Sequence, residues 1–112
     1  MQVNDFLWYA VEITTELRRL MRVQDWDIYT AVVKDEYMKT ENTRTEIEAY
    51  PNIRRAYIRF SEEYWILFDE VECDIIDALH ESITHELSHL WFKEGDEEHV
   101  CSMIARVMKT FM

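Results

Sequence analysis

Turn-forming residues are scarce: Gly95 and Pro51 are the only glycine and proline in 112 residues. Few tight turns are encoded, which argues against a fold of many hairpins and makes helices the expected majority. Cysteine is scarce too. Cys73 and Cys101 stand alone, with no CxxC pair, so no disulfide framework can be read. Both fall in segments read as helical, near apolar faces, and are expected to be buried free thiols of a reducing compartment. A disulfide or a metal-ligand role is the alternative. No apolar run reaches membrane-spanning length. The N-terminal stretch MQVNDFLWYAVEITTELRRL has an acidic start and no cleavable small-residue site, so a cytoplasmic location is expected and no membrane partner.

Positive charge is the remaining shortage. Twelve Lys and Arg face 23 Asp and Glu, for a net charge of −11. Such a surface gains nothing from phosphates or anionic lipid, so no nucleic-acid partner is expected. It leaves room for a basic protein partner or for mimicry of nucleic acid, although acidity most often serves solubility alone.

What is present is core material. Hydrophobic residues make up 48% of the chain, enough for one domain over 1–112. Asn4 or Asp5 can cap a first helix, and Phe6, Leu7, Ala10, Val11, Ile13, Leu17, Leu20 and Met21 recur at helical spacing to about Val23. From about 26 to 36 the period changes to two, with dense β-branched and aromatic residues, which predicts a strand. A short strand is possible over Thr43 to Ala49, and Ala56, Ile58 and Phe60 alternate with polar neighbours in a half-buried strand. These suggest a small antiparallel sheet. SEEYWILFDE fits either a short helix or a loop. Asp69 and Glu72 then resemble a capping box opening a long helix through Trp91, with a core stripe of Ile76, Leu79, Ile83, Leu87 and Leu90. Gly95 suits its C-terminal cap, and Asp96 starts a last helix.

The long helix carries HELSH, residues 85 to 89. Histidines four apart sit one turn apart on one face, so both imidazoles can reach one cation. Imidazole nitrogen suits zinc, and a catalytic zinc usually has three protein ligands and a water. Glu86 follows the first histidine, an offset that lets its carboxylate reach a zinc-bound water and act as general base. At about 100° per residue, His85 and His89 lie nearly opposite the core stripe. The small residues Ala78 and Ser82 share their face and leave room for metal and substrate. Paired histidines on a helix are also common as solvated residues, so the setting matters as much as the pattern. His80 falls on the Leu87 side and reads as a partly buried structural histidine.

A third ligand must come from the next segment, whose first turn holds Glu97, Glu98 and His99. Glu97 is in phase with Val100 and Ile104, on the packed side of its helix, while Glu98 and His99 point successively further round. Acidic residues are favoured at a helix N-terminus in any case.

ALHESITHELSHL, a turn, and EEHVCSMIARV together resemble the gluzincins, the zinc metallopeptidases built on HExxH plus Glu, in a minimal form. DWDIYTAVV and RRAYIRF are similar to the strands that precede the active-site helix in small metallopeptidases of phage and bacterial genomes, and SprT-like domains share this order. The resemblance implies a zincin-like α+β domain with an N-terminal helix, a small antiparallel sheet, a long HExxH helix and a C-terminal helix. It carries the third-ligand role to Glu97, whereas the SprT-like arrangement would favour His99. The expected protein is therefore a zinc-dependent peptidase acting on peptide or protein substrates. Its metal ligands would be His85, His89 and Glu97, with Glu86 as the base. The alternative is a non-catalytic acidic interaction or inhibitor module, phage-encoded, whose zinc is structural or vestigial.

Overall fold

The computed structural model describes residues 3–39, 44–63, 75–91 and 104–105. Its first element, α1, spans Val3–Leu20. Three strands follow: β1 at Asp27–Val33, β2 at Thr45–Tyr50 and β3 at Arg55–Ser61. A second helix, α2, covers Ile75–Ser88, and a one-turn 3-10 segment continues it over His89–Trp91. The class is α+β, as expected.

Helix α1 forms because its apolar residues repeat at helical spacing. Phe6, Ala10, Ile13 and Leu17 are buried, whereas Val11 and Leu20 are 49% and 42% exposed and leave the stripe. The helix stops at Leu20, short of the expected Val23, because a hydrogen-bonded cap intervenes. Val23 N–H donates to Arg18 O at 3.0 Å and Arg22 N–H to Arg19 O at 3.3 Å, around Arg22 at φ 58°. This is the Schellman pattern, with arginine where glycine is usual.

The sheet is mixed, which corrects the expected antiparallel one. The strand order is β1-β3-β2. β2 runs antiparallel to β3, with Ile47 opposite Ile58, but β1 runs parallel to β3, with Thr30 opposite Ile58. β3 takes the centre because its alternation is the cleanest: Ala56, Ile58 and Phe60 are each 0% exposed. β2 reaches it through the Pro51–Ile53 turn and Arg54, at φ 51°. β1 therefore pairs with the strand after next, and the usual neighbour pairing is overridden.

Both helices cover one face of this sheet. Phe6, Ala10, Ile13, Leu17, Ala56, Ile58, Phe60, Leu79, Ile83 and Leu87 belong to one core cluster. Phe6 meets Phe60 edge to face at 5.3 Å. α1 and α2 pack on each other, and α2 also touches β2. The other sheet face is polar and aromatic. Tyr29 stacks on Tyr57 at 5.5 Å, and Arg59 pairs with Glu46 at 3.2 Å and Glu48 at 3.3 Å. No helix among the described residues is long and apolar enough to cross a membrane.

Two features of the expected HExxH helix change. Its α-helical backbone ends at Ser88 rather than Trp91, so His89 opens the 3-10 turn. Its expected start at Asp69 lies outside the described residues, as do Cys73, Cys101 and most of the expected last helix.

Candidate functional site

The stripe that seats α2 is as the spacing predicts from Leu79 onward, and the Ile76 side chain lies outside the described residues. Leu79, Ile83 and Leu87 are fully buried, and Leu90 packs partly buried against the same cluster. Thr84 and Ser88, further round the helix, are small polar residues that are buried too, at 1% and 0%. The Ser88 hydroxyl is satisfied locally, donating to His85 O at 2.7 Å.

His85 and His89 lie on the far side, with Ala78 and Ser82. All four are half-buried rather than fully solvated. The His85 side chain is 19% exposed and that of Glu86 only 8%. The two imidazoles approach edge to face, with ring centroids 5.2 Å apart and planes at 71°. One Glu86 oxygen, Oε1, lies 3.9 Å from His85 Nε2. His85 thus neighbours both His89 and Glu86 at the end of α2.

That spacing can be tested against a metal. Imidazole nitrogens at about 2.0–2.1 Å from one tetrahedral zinc place the ring centres roughly 5.2 Å apart. The observed centroid separation is also 5.2 Å, with the two rings edge to face at 71°. Glu86 reaches the neighbourhood of the first histidine from the adjacent position on the helix. The pair and Glu86 are the part of the expected site that the described residues bring together. Among those residues no group of three or more His, Cys, Asp and Glu is gathered for a metal. Glu97, Glu98 and His99 lie outside the described residues.

His80 is elsewhere. It sits half-buried about half a turn round α2 from His89, and its Nδ1 is buried without a hydrogen-bond partner. Its partial burial is as expected, and it takes no part in the pair.

Two contacts that hold the site were not evident from the pattern. Trp91, in the 3-10 turn that starts at His89, donates its Nε1–H to Met21 O at 3.1 Å. This ties the end of the motif to the end of α1. The second is the Ser88 to His85 bond, at the junction where the α-helix gives way. A serine inside HELSH was the available signal, since serine commonly bonds back to the preceding turn.

Comparison with family models, curated proteins and solved structures returns no match.

Proposed function

We propose that the chain is a zinc-dependent hydrolase acting on peptide bonds, with its centre at the end of α2. The observation that carries this reading is the His85–His89 pair, 5.2 Å apart, with the secluded Glu86 carboxylate 3.9 Å from His85 Nε2. His85 and His89 would hold the metal, with Glu97 as the third ligand. A zinc ion held there would supply Lewis-acid chemistry to a water and a peptide carbonyl. Glu86 takes a proton from the water as its oxygen attacks the carbonyl carbon. It then passes that proton to the nitrogen of the departing amine as the C–N bond breaks. Its seclusion keeps bulk water from competing and strengthens its polar interactions. Ala78 and Ser82, small and on the histidine face, leave space for the substrate backbone.

Metal analysis of untagged protein tests the site, with about one zinc per chain expected from this donor set. His85→Ala should lose most of it, and equal trace metal in both proteins would remove the site. Glu86→Gln separates enzyme from binding module. The variant should keep its zinc and its fold but lose turnover of unfolded protein by at least ~100-fold. Turnover unchanged in Glu86→Gln would reject the mechanism while leaving the metal site standing.

A further inference from the structure

The two edges of the sheet are built differently. β2, at one edge, is guarded by charge. Glu46 accepts the Lys39 N–H at 2.8 Å, and Glu48 pairs with Lys39 Nζ. β1, at the other edge, has no such guard. Its sequence, DIYTAVV, holds no lysine or proline, and its one charge is Asp27 at the first position. Among the described residues no strand lies beyond it. Long uncharged edges of this kind are templates for another strand.

The direction of its free groups follows from one bond. Asp27 N–H donates to Arg54 O at 2.8 Å, toward β3. The N–H and C=O of one residue leave a strand on the same side, and successive residues alternate. Tyr29, Ala31 and Val33 therefore also address β3. Ile28, Thr30 and Val32 present their N–H and C=O to the open edge.

We propose that two copies of this chain pair antiparallel along β1, across a two-fold axis at Thr30, to form one six-stranded sheet. The occupant is a second copy because the edge is complementary to itself. With Thr30 opposite its own mate, Ile28 of each copy faces Val32 of the other, and all the outward groups of the three residues pair. On the core side, Ile28 and Val32 are only half-buried and pack partly against the core cluster. An added strand covers them. On the axis Thr30 of one copy meets Thr30 of the other, a β-branched cross-strand pair. On the outer face, Tyr29, 50% exposed, lies across from Ala31 of the other copy. In this register Asp27 of one chain lies opposite Val33 of the other, and no charged residue falls between Ile28 and Val32 where two chains of net charge −11 approach. None of this depends on the metal reading.

One strand pair covers less than the ~1,200 Å² of a stable complex, so the association is weak, with Kd on the order of 10–100 μM. Sedimentation equilibrium of the full chain, from about 10 μM to about 1 mM, spans that range. The mean mass should climb from 13.7 kDa toward twice that value. Hydrogen exchange followed at both ends of the range should slow at the Ile28, Thr30 and Val32 amides only when the protein is concentrated. Ala31→Lys, at an exposed position, should remain monomeric with an unchanged melting curve. Thr30→Pro should do the same, because the N–H it removes points away from β3. Should the proline variant not fold, the lysine variant decides alone. A wild type that stays monomeric at every concentration overturns the proposal. So does a dimer in which those three amides exchange alike at both concentrations, since it would use another surface, such as the exposed Trp8 and Val11 of α1.

Discussion

Replacing Glu46 with alanine should cost more stability than any other single charge removal on the sheet. The side chain is 6% exposed, and its two oxygens accept from different places. Oε1 takes the Lys39 backbone N–H at 2.8 Å, and Oε2 takes an Arg59 guanidinium N–H at 3.2 Å. One carboxylate therefore joins the segment after β1 to both β2 and β3. Hydrogen bonds to a charged group contribute about 1.5–3 kcal/mol each, and stripping one member from a buried ion pair costs about 3–5 kcal/mol. Arg59 tempers this. Its side chain is 19% exposed and keeps Glu48 at 3.3 Å, so it is not left stranded. The expected loss is about 2–3 kcal/mol, a large part of the ~5–15 kcal/mol available to a domain. Urea denaturation at neutral pH measures it. The midpoint should fall by about 1–2 M with an unchanged slope. In a double-mutant cycle with Arg59→Met, a coupling of about 1–2 kcal/mol should appear. A loss under ~0.5 kcal/mol, the level of an ordinary surface substitution, would refute the reasoning.

Two further outcomes are expected. Arg22→Gly should stabilise the protein by about 0.5–1 kcal/mol, because Arg22 sits at φ 58° in the cap of α1, where glycine carries no Cβ penalty; a melting temperature that does not rise would contradict this. Trp91→Phe removes the donor to Met21 O and should cost about 1 kcal/mol, while zinc affinity falls by less than the loss caused by His89→Ala. Chemical denaturation and competitive zinc titration of the two variants check both parts, and a Trp91→Phe variant as stable as wild type would show that the clasp contributes nothing.

The parts of the fold that were legible are those where one face is fully buried. Leu79, Ile83 and Leu87, like Ala56, Ile58 and Phe60, sit in the core because nothing else satisfies a 3.6 or 2.0 repeat of apolar side chains. The sign of strand pairing was not legible. Alternation fixes which face of β1 turns inward, but it is the same for a parallel and an antiparallel neighbour. The sign is set by the strand order β1-β3-β2, in which β2 lies on the far side of β3 from β1. The Glu46–Arg59 link was hidden for a related reason. Glutamates at 46 and 48 and arginines at 55 and 59 are visible as alternating charges, but only the register, Glu46 opposite Arg59, turns them into partners. In α1 the spacing included Val11 and Leu20 in the stripe, yet both are exposed, since a helix of this pitch widens an apolar list beyond the face that one sheet can cover.

The motif itself was legible as a pattern and only partly as geometry. Four residues make one turn if the helix continues, but here the α-helix ends between Ser88 and His89. In a continuing helix His85 O would accept the His89 N–H. The Ser88 hydroxyl donates to that carbonyl at 2.7 Å, at the point where the α-helix gives way to the 3-10 turn. His89 is consequently set by a different element from His85. His85 belongs to a helix seated by Leu79, Ile83 and Leu87, whereas His89 belongs to a turn held through Trp91 to the end of α1. The 5.2 Å spacing of the two imidazoles is therefore a joint product of the core and of the α1 cap. Changes at Met21 or Arg22, far from the motif in sequence, are therefore expected to weaken metal binding at the proposed site through His89, and an affinity for zinc unchanged in Arg22→Gly and Trp91→Phe would refute the coupling.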